Sequence, residues 1–257
     1  MLREMADAVA RRVHATTLEQ RAQLVGDGAD GTPTKHVDAI AENAILALMR
    51  ERDLGWDLLS EEAGFVRMGG ERLLVADPID GTTNCARGLP FYCVSLALGH
   101  ERVADIDVGL VMNLCTLERY EAVAGQGATY HASPLARTPE GGRVPAEPMK
   151  VAAHASPLVA TGGGPATSAM GGRNFGASAL EMSLVAAGAL DGYRYTRPQL
   201  RVIDVAAAVL IVREAGGAVV DESGKDFDVD LSLQPRFTLA AGRSHKHARQ
   251  LLAEVKA

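Results

Sequence analysis

One stretch of the chain, residues 73–84, constrains the fold more than any other. It opens with the apolar run Leu-Leu-Val-Ala, which is typical of a buried strand. The run continues directly into Asp77-Pro-Ile-Asp-Gly-Thr-Thr-Asn84, in which Pro78 restricts the backbone between two acids. The pattern predicts a buried strand that ends in a rigid turn carrying the side chains of Asp77 and Asp80.

Two carboxylates on a rigid turn suit a hard cation, because Mg²⁺ prefers oxygen ligands in an octahedron. The carbonyl oxygen of Ile79 could supply a further ligand. Gly81 allows the backbone to approach a bound group closely, and the N–H groups beside Thr82 can hold a phosphate. A simpler alternative stays open at this point, since Asp-Pro and Asp-Gly pairs also form ordinary turns.

Two further acids occur in patterns that are compatible with the same site. Glu61 follows the apolar residues 58–59 and precedes the strand that carries Asp77. Asp204 lies at the start of a helix pattern over residues 202–215, where the helix dipole keeps a carboxylate ionised. Each has an ordinary alternative, a solvated Glu-Glu pair for Glu61 and a helix cap for Asp204.

Helix and strand patterns alternate along the chain, which favours an α/β or α+β layered fold. A Ser-x-x-Glu capping box begins one helix at Ser178 and Glu181, and Ser244 caps the last helix. The polar segment 131–149 predicts a boundary between an N-terminal half, residues 1–145, and a C-terminal half, residues 146–257. Helices are predicted over residues 2–24, 38–52, 178–188, 202–215 and 244–255. Strands are predicted at residues 73–76, 91–98, 108–111, 118–123, 151–154, 193–195, 218–220 and 238–241.

Composition excludes several classes of function. The net charge of -6 gives no basic surface for nucleic acid or an anionic membrane, so an anionic substrate would need a metal or a few placed arginines. The three cysteines form no Cys-x-x-Cys pair, which argues against zinc. No apolar run approaches the roughly 20 residues of a membrane helix, and the N-terminus does not resemble a signal peptide. A cytoplasmic protein is expected.

The sequence resembles the inositol monophosphatase superfamily of metal-dependent phosphatases. It is most similar to the archaeal branch, whose members act on both fructose 1,6-bisphosphate and inositol monophosphate. Residues 77–84 match the most specific motif, and Glu61 matches the metal-binding glutamate. Residues 201–207 and 214–217 match the C-terminal motif that contains Asp204. The resemblance implies a five-layer αβαβα fold, a metal site in the cleft between the halves, and a homodimer.

The resemblance also implies roles for individual residues. Two or three Mg²⁺ ions, which Mn²⁺ could replace, would be held by Glu61, Asp77, the Ile79 carbonyl, Asp80 and Asp204. Glu61 and Thr82 would orient and activate the attacking water, and Asp38 would hydrogen-bond Thr82. The substrate, a small phosphomonoester, would contact residues of the metal site and of the C-terminal half: Asp80, Gly81, Thr82, Arg173, Gly176, Ala177, Ser178, Tyr195, Arg201 and Asp204.

The choice of substrate depends on residues outside the metal motifs. Inositol-specific members carry a glutamate at the position of Tyr195, and its absence here puts a dedicated inositol site in doubt. Arginines occur nearby and could hold a second phosphate, which favours fructose 1,6-bisphosphate, although they could also be solvated. They are Arg173, Arg194, Arg197 and Arg201. The alternatives are a nucleotide phosphatase acting on 3′-phosphoadenosine phosphate or NADP, and a non-catalytic binding or regulatory protein.

Overall fold

The computed structural model describes residues 1–29, 31–136, 138, 143–162 and 172–253. Its helices are α1 (Leu2–His14), α2 (Leu18–Ala22), α3 (His36–Glu51), α4 (Thr82–Arg87), α5 (Ser178–Ala186), α6 (Ala206–Glu214) and α7 (His245–Ala253). Its strands are β1 (Leu24–Asp27), β2 (Pro33–Lys35), β3 (Asp57–Ser60), β4 (Gly64–Val66), β5 (Leu73–Asp80), β6 (Cys93–Gly99), β7 (Val108–Asn113), β8 (Arg119–Val123), β9 (Ala128–His131), β10 (Glu147–Pro148), β11 (Val159–Gly162), β12 (Gly192–Leu200), β13 (Ala218–Asp221) and β14 (Phe237–Gly242).

Two mixed sheets and one hairpin account for the strands of the described residues. The larger sheet has eight strands in the order β10-β9-β8-β7-β6-β5-β3-β4, and the smaller has four in the order β11-β12-β14-β13. Strands β1 and β2 form the hairpin. Strand β3 runs parallel to β5, and β11 runs parallel to β12. The other pairs in these sheets are antiparallel.

Three apolar clusters arrange the elements in layers. Helices α1 and α3 pack on one face of the large sheet, where Ile45 and Leu96 share a cluster. Helices α5 and α6 lie between the two sheets, with Ile211 at 0% exposure in the largest cluster. Helix α7 covers the outer face of the small sheet, where Leu251 shares a cluster with Val220. The order helix, sheet, helix, sheet, helix confirms the five-layer αβαβα fold.

The burial of β5 follows from this layering. Its residues are buried throughout, because helices cover both faces of the large sheet. Side chains alternate between the faces, so Leu74 packs toward α1 and α3 while Val75 packs toward α6. An apolar run without alternation, as in residues 73–76, is therefore the pattern that this position requires.

The acidic turn predicted after residue 76 is part of the strand instead. Strand β5 runs through Asp80, and its pairing with β6 shifts between Asp77, opposite Ser95, and Asp80, opposite Cys93. The shift places an extra residue on β5, as in a β-bulge, and Pro78, which has no N–H to donate, lies within it. The sharp turn comes one residue later, at Gly81, whose φ of 92° favours glycine.

Two predicted helices differ from the structure. The first is broken, because α1 ends at His14 and α2 begins after Thr17, whose side chain accepts the N–H of Gln20. The helix predicted from residue 202 begins at Ala206 instead, so Asp204 lies in the preceding turn. None of the described helices is both long and apolar enough to cross a membrane.

The region between the predicted halves also differs in detail. The described backbone has no strand at residues 151–154, and the first strand of the small sheet is β11. Strand β10 pairs with β9 in the large sheet, although it follows residue 145. The division of the chain near residue 145 stays a prediction. The last helix begins after Ser244, whose Oγ accepts the N–H of His247, and its predicted end at Val255 lies outside the described residues.

Gly109→Ala tests the packing of α6 on the large sheet. A Cβ at Gly109 would lie 2.8 Å from the carbonyl oxygen of Ala207 and 3.3 Å from its Cα. Because backbone must move to make room, we expect this substitution to lower the free energy of unfolding by about 1–3 kcal/mol. The matched control is Gly26→Ala, where nothing lies within 4 Å of the added atom. Equal unfolding free energies of the two variants in chemical denaturation would contradict this packing.

Candidate active site

The pairing of β3 with β5 brings three of the predicted metal ligands together. The two strands run parallel, with Ser60 opposite Ala76. Glu61 directly follows β3 and Asp77 is the next residue of β5, so both lie at the same end of this strand pair. Asp80 follows at the end of β5, and Asp77 and Asp80 are only 2% and 8% exposed. A carboxylate cluster therefore follows directly from the register of two neighbouring strands.

Asp204 joins this cluster from the C-terminal part of the chain through an ion pair with Arg201. The Arg201 Nη1 atom lies 2.5 Å from Glu61 Oε1. Its Nη2 and Nε atoms lie 3.0 and 3.1 Å from Asp204 Oδ1. The backbone N–H of Arg201 donates to Asp204 Oδ2 at 2.7 Å, which fixes the turn before α6. One guanidinium thus links a residue beside β3 to a residue after β12.

The carboxylates of this cluster repel one another, and three of them, Asp77, Asp80 and Asp204, are buried. Burial raises the pKa of the Asp77 carboxyl well above its ordinary value, and Glu61, Asp80 and Asp204 raise it further. Burial and Asp204 also raise the pKa of Asp80, which the N–H of Ala179, 2.6 Å from Oδ2, opposes. Such a cluster is stabilised by a positive charge placed among its members.

The donor chemistry of these residues fits a hard divalent cation, since every candidate ligand is an oxygen atom. The side chains are nevertheless not arranged as a ready cage. Within the described residues, no group of three or more histidine, cysteine, aspartate or glutamate side chains could hold a metal ion as they stand. Two of the carboxylates, those of Glu61 and Asp204, are instead paired with the guanidinium of Arg201.

Thr82 and Asp38 form the predicted pair next to the cluster. The Thr82 hydroxyl lies 2.9 Å from Asp38 Oδ1 and 3.0 Å from the carbonyl oxygen of Ile79. Asp38 is in the first turn of α3, where its other oxygen accepts the N–H of Lys35. Burial raises the pKa of Asp38 to about 7, which the hydrogen bond from Thr82 opposes. A hydroxyl has one proton, so Thr82 can donate to only one of its two partners at a time.

The segment 175–178 is held against this site by the side chains of Asn84 and Glu181, for which the sequence predicted no role in the site. The amide of Asn84 donates to the carbonyl oxygens of Phe91 and Phe175, each at 2.7 Å. Glu181 Oε1 accepts the N–H groups of Phe175 at 2.7 Å and Gly176 at 3.3 Å. The segment that contains Gly176, Ala177 and Ser178 is therefore fixed from both sides.

The predicted capping box between Ser178 and Glu181 at the start of α5 is wrong, because these two residues do not make its hydrogen bonds. The N-cap residue is Ala177, and no side chain caps it. Ser178 Oγ accepts the hydroxyl of Tyr193 at 2.8 Å instead. Glu181 instead accepts the N–H groups of residues 175–176, which precede the N-cap. The sequence therefore marked this glutamate as part of a helix start but did not predict its partners.

The predicted substrate arginines separate into different environments. Arg173 and Arg197 are exposed. Arg194 is 2% exposed, and its Nη1 donates to the carbonyl oxygen of Leu251 in α7, so its predicted place near the pocket is wrong. Tyr195 is half-buried with its ring against Gly162, where a Cβ would lie 2.3 Å from a ring atom.

The sequence matches the model of a known family. A model described as the inositol monophosphatase family matches residues 2–257. The chain belongs to the inositol monophosphatase family. The resemblance predicted from the three motifs is thereby confirmed.

This member of the inositol monophosphatase family is similar to the following two relatives and one solved structure. A fructose-1,6-bisphosphatase/inositol-1-monophosphatase from Methanothermobacter thermautotrophicus is 31% identical over 267 residues, which cover 95% of this chain and 92% of that protein. A bifunctional NADP phosphatase/NAD kinase from Methanococcus maripaludis is 31% identical over 251 residues, covering 90% of this chain and 44% of that protein. A Pyrococcus horikoshii structure with similarities for inositol-1 monophosphatase has a TM-score of 0.77 at 28% identity, covering 98% of this chain and 94% of that one. Family membership and these relatives indicate a phosphatase.

Glu181→Gln tests the electrostatics of the segment 175–178 in this family member. Burial raises the pKa of Glu181 from 4.5 to about 7, although the N–H groups of Phe175 and Gly176 oppose the rise. A raised carboxyl pKa stabilises the fold below about pH 4.5, and this contribution is lost as the pH rises through about 7. Glutamine does not titrate, so the variant lacks this loss. As the pH rises from acidic to alkaline, we therefore expect the unfolding free energy of the variant to increase relative to wild type by up to roughly 3 kcal/mol.

Denaturant unfolding of both proteins at pH 5 and pH 8, at one fixed Mg²⁺ concentration, measures this gain. Glu222→Gln, at an exposed position, is the matched control and should show no pH-dependent difference from wild type. A stability difference between Glu181→Gln and wild type that is the same at both pH values would contradict the assignment.

Proposed function

We propose that the protein is a phosphomonoester hydrolase that depends on a divalent cation, Mg²⁺ or Mn²⁺. The observation that carries the proposal is the cluster of Glu61, Asp77, Asp80 and Asp204 at one edge of the large sheet, beside the Thr82–Asp38 pair. A structural role for the cluster alone would not need so many buried like charges. A non-catalytic binding protein is disfavoured for the same reason.

The metal ligands in this proposal are the carboxylates of the cluster and the carbonyl oxygen of Ile79. Asp77 would contribute to the binding of more than one ion, as the resemblance implies. When bound, the cations would neutralise the phosphate, lower the pKa of a coordinated water and stabilise the leaving alkoxide. Two ions are proposed, with a third, weaker one near Glu61.

Thr82 and Glu61 would position the attacking water. If the Thr82 hydroxyl donates to Asp38, its oxygen lone pairs stay available and can accept a hydrogen bond from that water. Asp38 thus acts through Thr82, by fixing the direction of the hydroxyl. Glu61 supplies a second acceptor on the water, and its carboxylate would take up the proton that the water loses as it attacks phosphorus.

The phosphate would lie where residues 81–82 approach the segment 175–178. A Cβ at Gly81 would lie 3.2 Å from both the Gly176 carbonyl oxygen and the Ala177 Cβ. Glycine suits this position, because its φ is 92° and an added Cβ would crowd the neighbouring segment. Backbone N–H groups of Gly81 and Thr82 would contact the phosphate, and the segment 176–178 would contact the substrate from the other side.

The preferred substrate is fructose 1,6-bisphosphate, with inositol 1-phosphate also accepted. Tyr195 supports this choice, because a tyrosine can donate a hydrogen bond without adding negative charge. The exposed Arg173 is proposed to bind the second phosphate. A homodimer is also proposed, as the resemblance implies.

A second candidate is a nucleotide phosphatase acting on NADP or 3′-phosphoadenosine phosphate. The observation in its favour is the similarity to a relative named as a bifunctional NADP phosphatase/NAD kinase, of which this chain spans 44%. The carboxylate cluster would serve either substrate equally, so turnover must distinguish them.

Phosphate release from four compounds tests the proposed function: fructose 1,6-bisphosphate, inositol 1-phosphate, NADP and 3′-phosphoadenosine phosphate. At fixed Mg²⁺ we expect the bisphosphate and inositol 1-phosphate to be hydrolysed, and EDTA to abolish turnover. Asp80→Asn should lower turnover at least about 10²-fold, because it removes a charge from the cluster. Asp7→Asn, on the half-exposed surface of α1, is the control. Undiminished turnover in EDTA would refute the metal dependence, and turnover of the nucleotides alone would favour the second candidate.

Thr82→Ala tests the positioning of water separately from metal binding. The carboxylates remain in this variant, so we expect Mg²⁺ affinity to be kept while kcat falls about 10²-fold or more. Thr83→Ala, on the exposed side of the same helix, should match wild type. A wild-type kcat for Thr82→Ala at saturating substrate and Mg²⁺ would show that the hydroxyl has no part in the reaction.

A further inference from the structure

Arg201 stands out among the arginines because it contacts two members of the carboxylate cluster at once. Its side chain is 17% exposed, compared with 18% for Glu61 and 12% for Asp204. The guanidinium donates to Glu61 through Nη1 and to Asp204 through Nε and Nη2. A planar guanidinium that binds two carboxylates in this way uses its donors in fixed directions, which a lysine could not reproduce.

These contacts involve oxygen atoms that a divalent cation would use. Asp204 Oδ2 accepts the backbone N–H of Arg201 at 2.7 Å, and Oδ1 receives the guanidinium. Glu61 Oε1 receives Nη1 at 2.5 Å. A cation binding at Glu61 Oε1 or Asp204 Oδ1 would meet the positive charge of Arg201 at short range. The guanidinium and the cation are both positive and would compete for these atoms.

We propose that Arg201 is an internal counter-cation of the active site, which a divalent ion must displace in order to bind Glu61 and Asp204. Metal binding and release of the guanidinium are then one coupled step. The inference rests on the proposed metal-dependent function. It adds that Arg201 regulates the affinity of the same site for metal. The arginine lowers metal affinity in exchange for keeping the carboxylates neutralised.

The local backbone allows this exchange without unfolding the turn. The N–H of Arg201 bonds to Asp204 Oδ2, and the N–H of Asp204 donates to the Arg201 carbonyl oxygen at 3.2 Å. These two bonds hold residues 201–204 whatever the side chain of Arg201 does. The guanidinium is partly exposed, so it can rotate toward solvent and remain at the rim of the site. There it would be available to an anionic substrate, which accords with the substrate role predicted for Arg201.

The opposite role makes an opposite prediction. If Arg201 instead oriented Glu61 and Asp204 for the metal, removing it would weaken metal binding. If it is a competitor, removing it strengthens metal binding. The sign of the change in affinity therefore decides between the two roles.

Isothermal titration of Mg²⁺, and separately of Mn²⁺, into the chelator-treated protein measures this sign. The variants are Arg201→Ala and Arg201→Gln, which remove the charge with and without a remaining hydrogen-bond donor. We expect both to bind the ions at least about tenfold more tightly than wild type, as loss of a charge-assisted contact implies. Arg197→Ala removes the same charge from an exposed position on β12 and should match wild type.

Thermal unfolding supplies a second measurement on the same proteins. In EDTA, the Arg201 variants should melt below wild type, because the carboxylates have lost their counter-charge. In saturating Mg²⁺ the difference should shrink, so the rise in Tm caused by the ion is larger in the variants. This recovery also shows that the variants fold.

Unchanged or weaker binding of both ions by both Arg201 variants would overturn the inference and leave the proposed function standing. A wild type that binds neither ion and hydrolyses none of the four phosphate compounds would overturn the function and the inference together.

Discussion

Mutual repulsion among buried carboxylates is the constraint on which the architecture of the site depends. Taking a single carboxylate out of water is costly unless it is paired or hydrogen-bonded, and here the register of β3 and β5 places Glu61 and Asp77 side by side. Asp80 and Asp204 add to the same charge. Three groups offset this repulsion. The Arg201 guanidinium pairs with Glu61 and Asp204. The N–H of Ala179 donates to Asp80, and the N–H of Ile79 donates to Asp77 at 3.1 Å. A site built in this way favours a cation.

The layers of the fold keep these groups in place. Strand β5 is buried on both faces, which fixes Asp77 and Asp80 at its end, and the bulge at Pro78 sets their directions. From the other side, Asn84 and Glu181 hold the segment 175–178 against α4. The site thus combines a rigid strand end from the large sheet with a fixed segment and a turn from the C-terminal part of the chain. Metal binding as proposed would break the contacts of Arg201 with Glu61 and Asp204.

Much of the site could be predicted from the sequence, because its acids lie in short motifs with local structure. Residues 73–84 indicated a buried strand with two acids, and the resemblance supplied the pair of Thr82 and Asp38, which are in hydrogen-bond distance. The contact of Arg201 with Glu61 could not be predicted, because it joins residues 140 positions apart and depends on how the sheets pack. Arg194 was misplaced for a local reason. It alternates with Tyr193 along β12, so the tyrosine points to the inner face and the arginine to α7.

The presence of a metal at the carboxylate cluster can be measured most directly by anomalous diffraction from crystals of the wild-type protein soaked in Mn²⁺. The carboxylate cluster predicts at least one anomalous peak within coordination distance of Asp77 and Asp80, with Asp204 as a ligand and the Arg201 guanidinium moved away from Asp204 Oδ1. Crystals that bind Mn²⁺ only at other places, or a cluster that stays paired with Arg201 at saturating Mn²⁺, would contradict it.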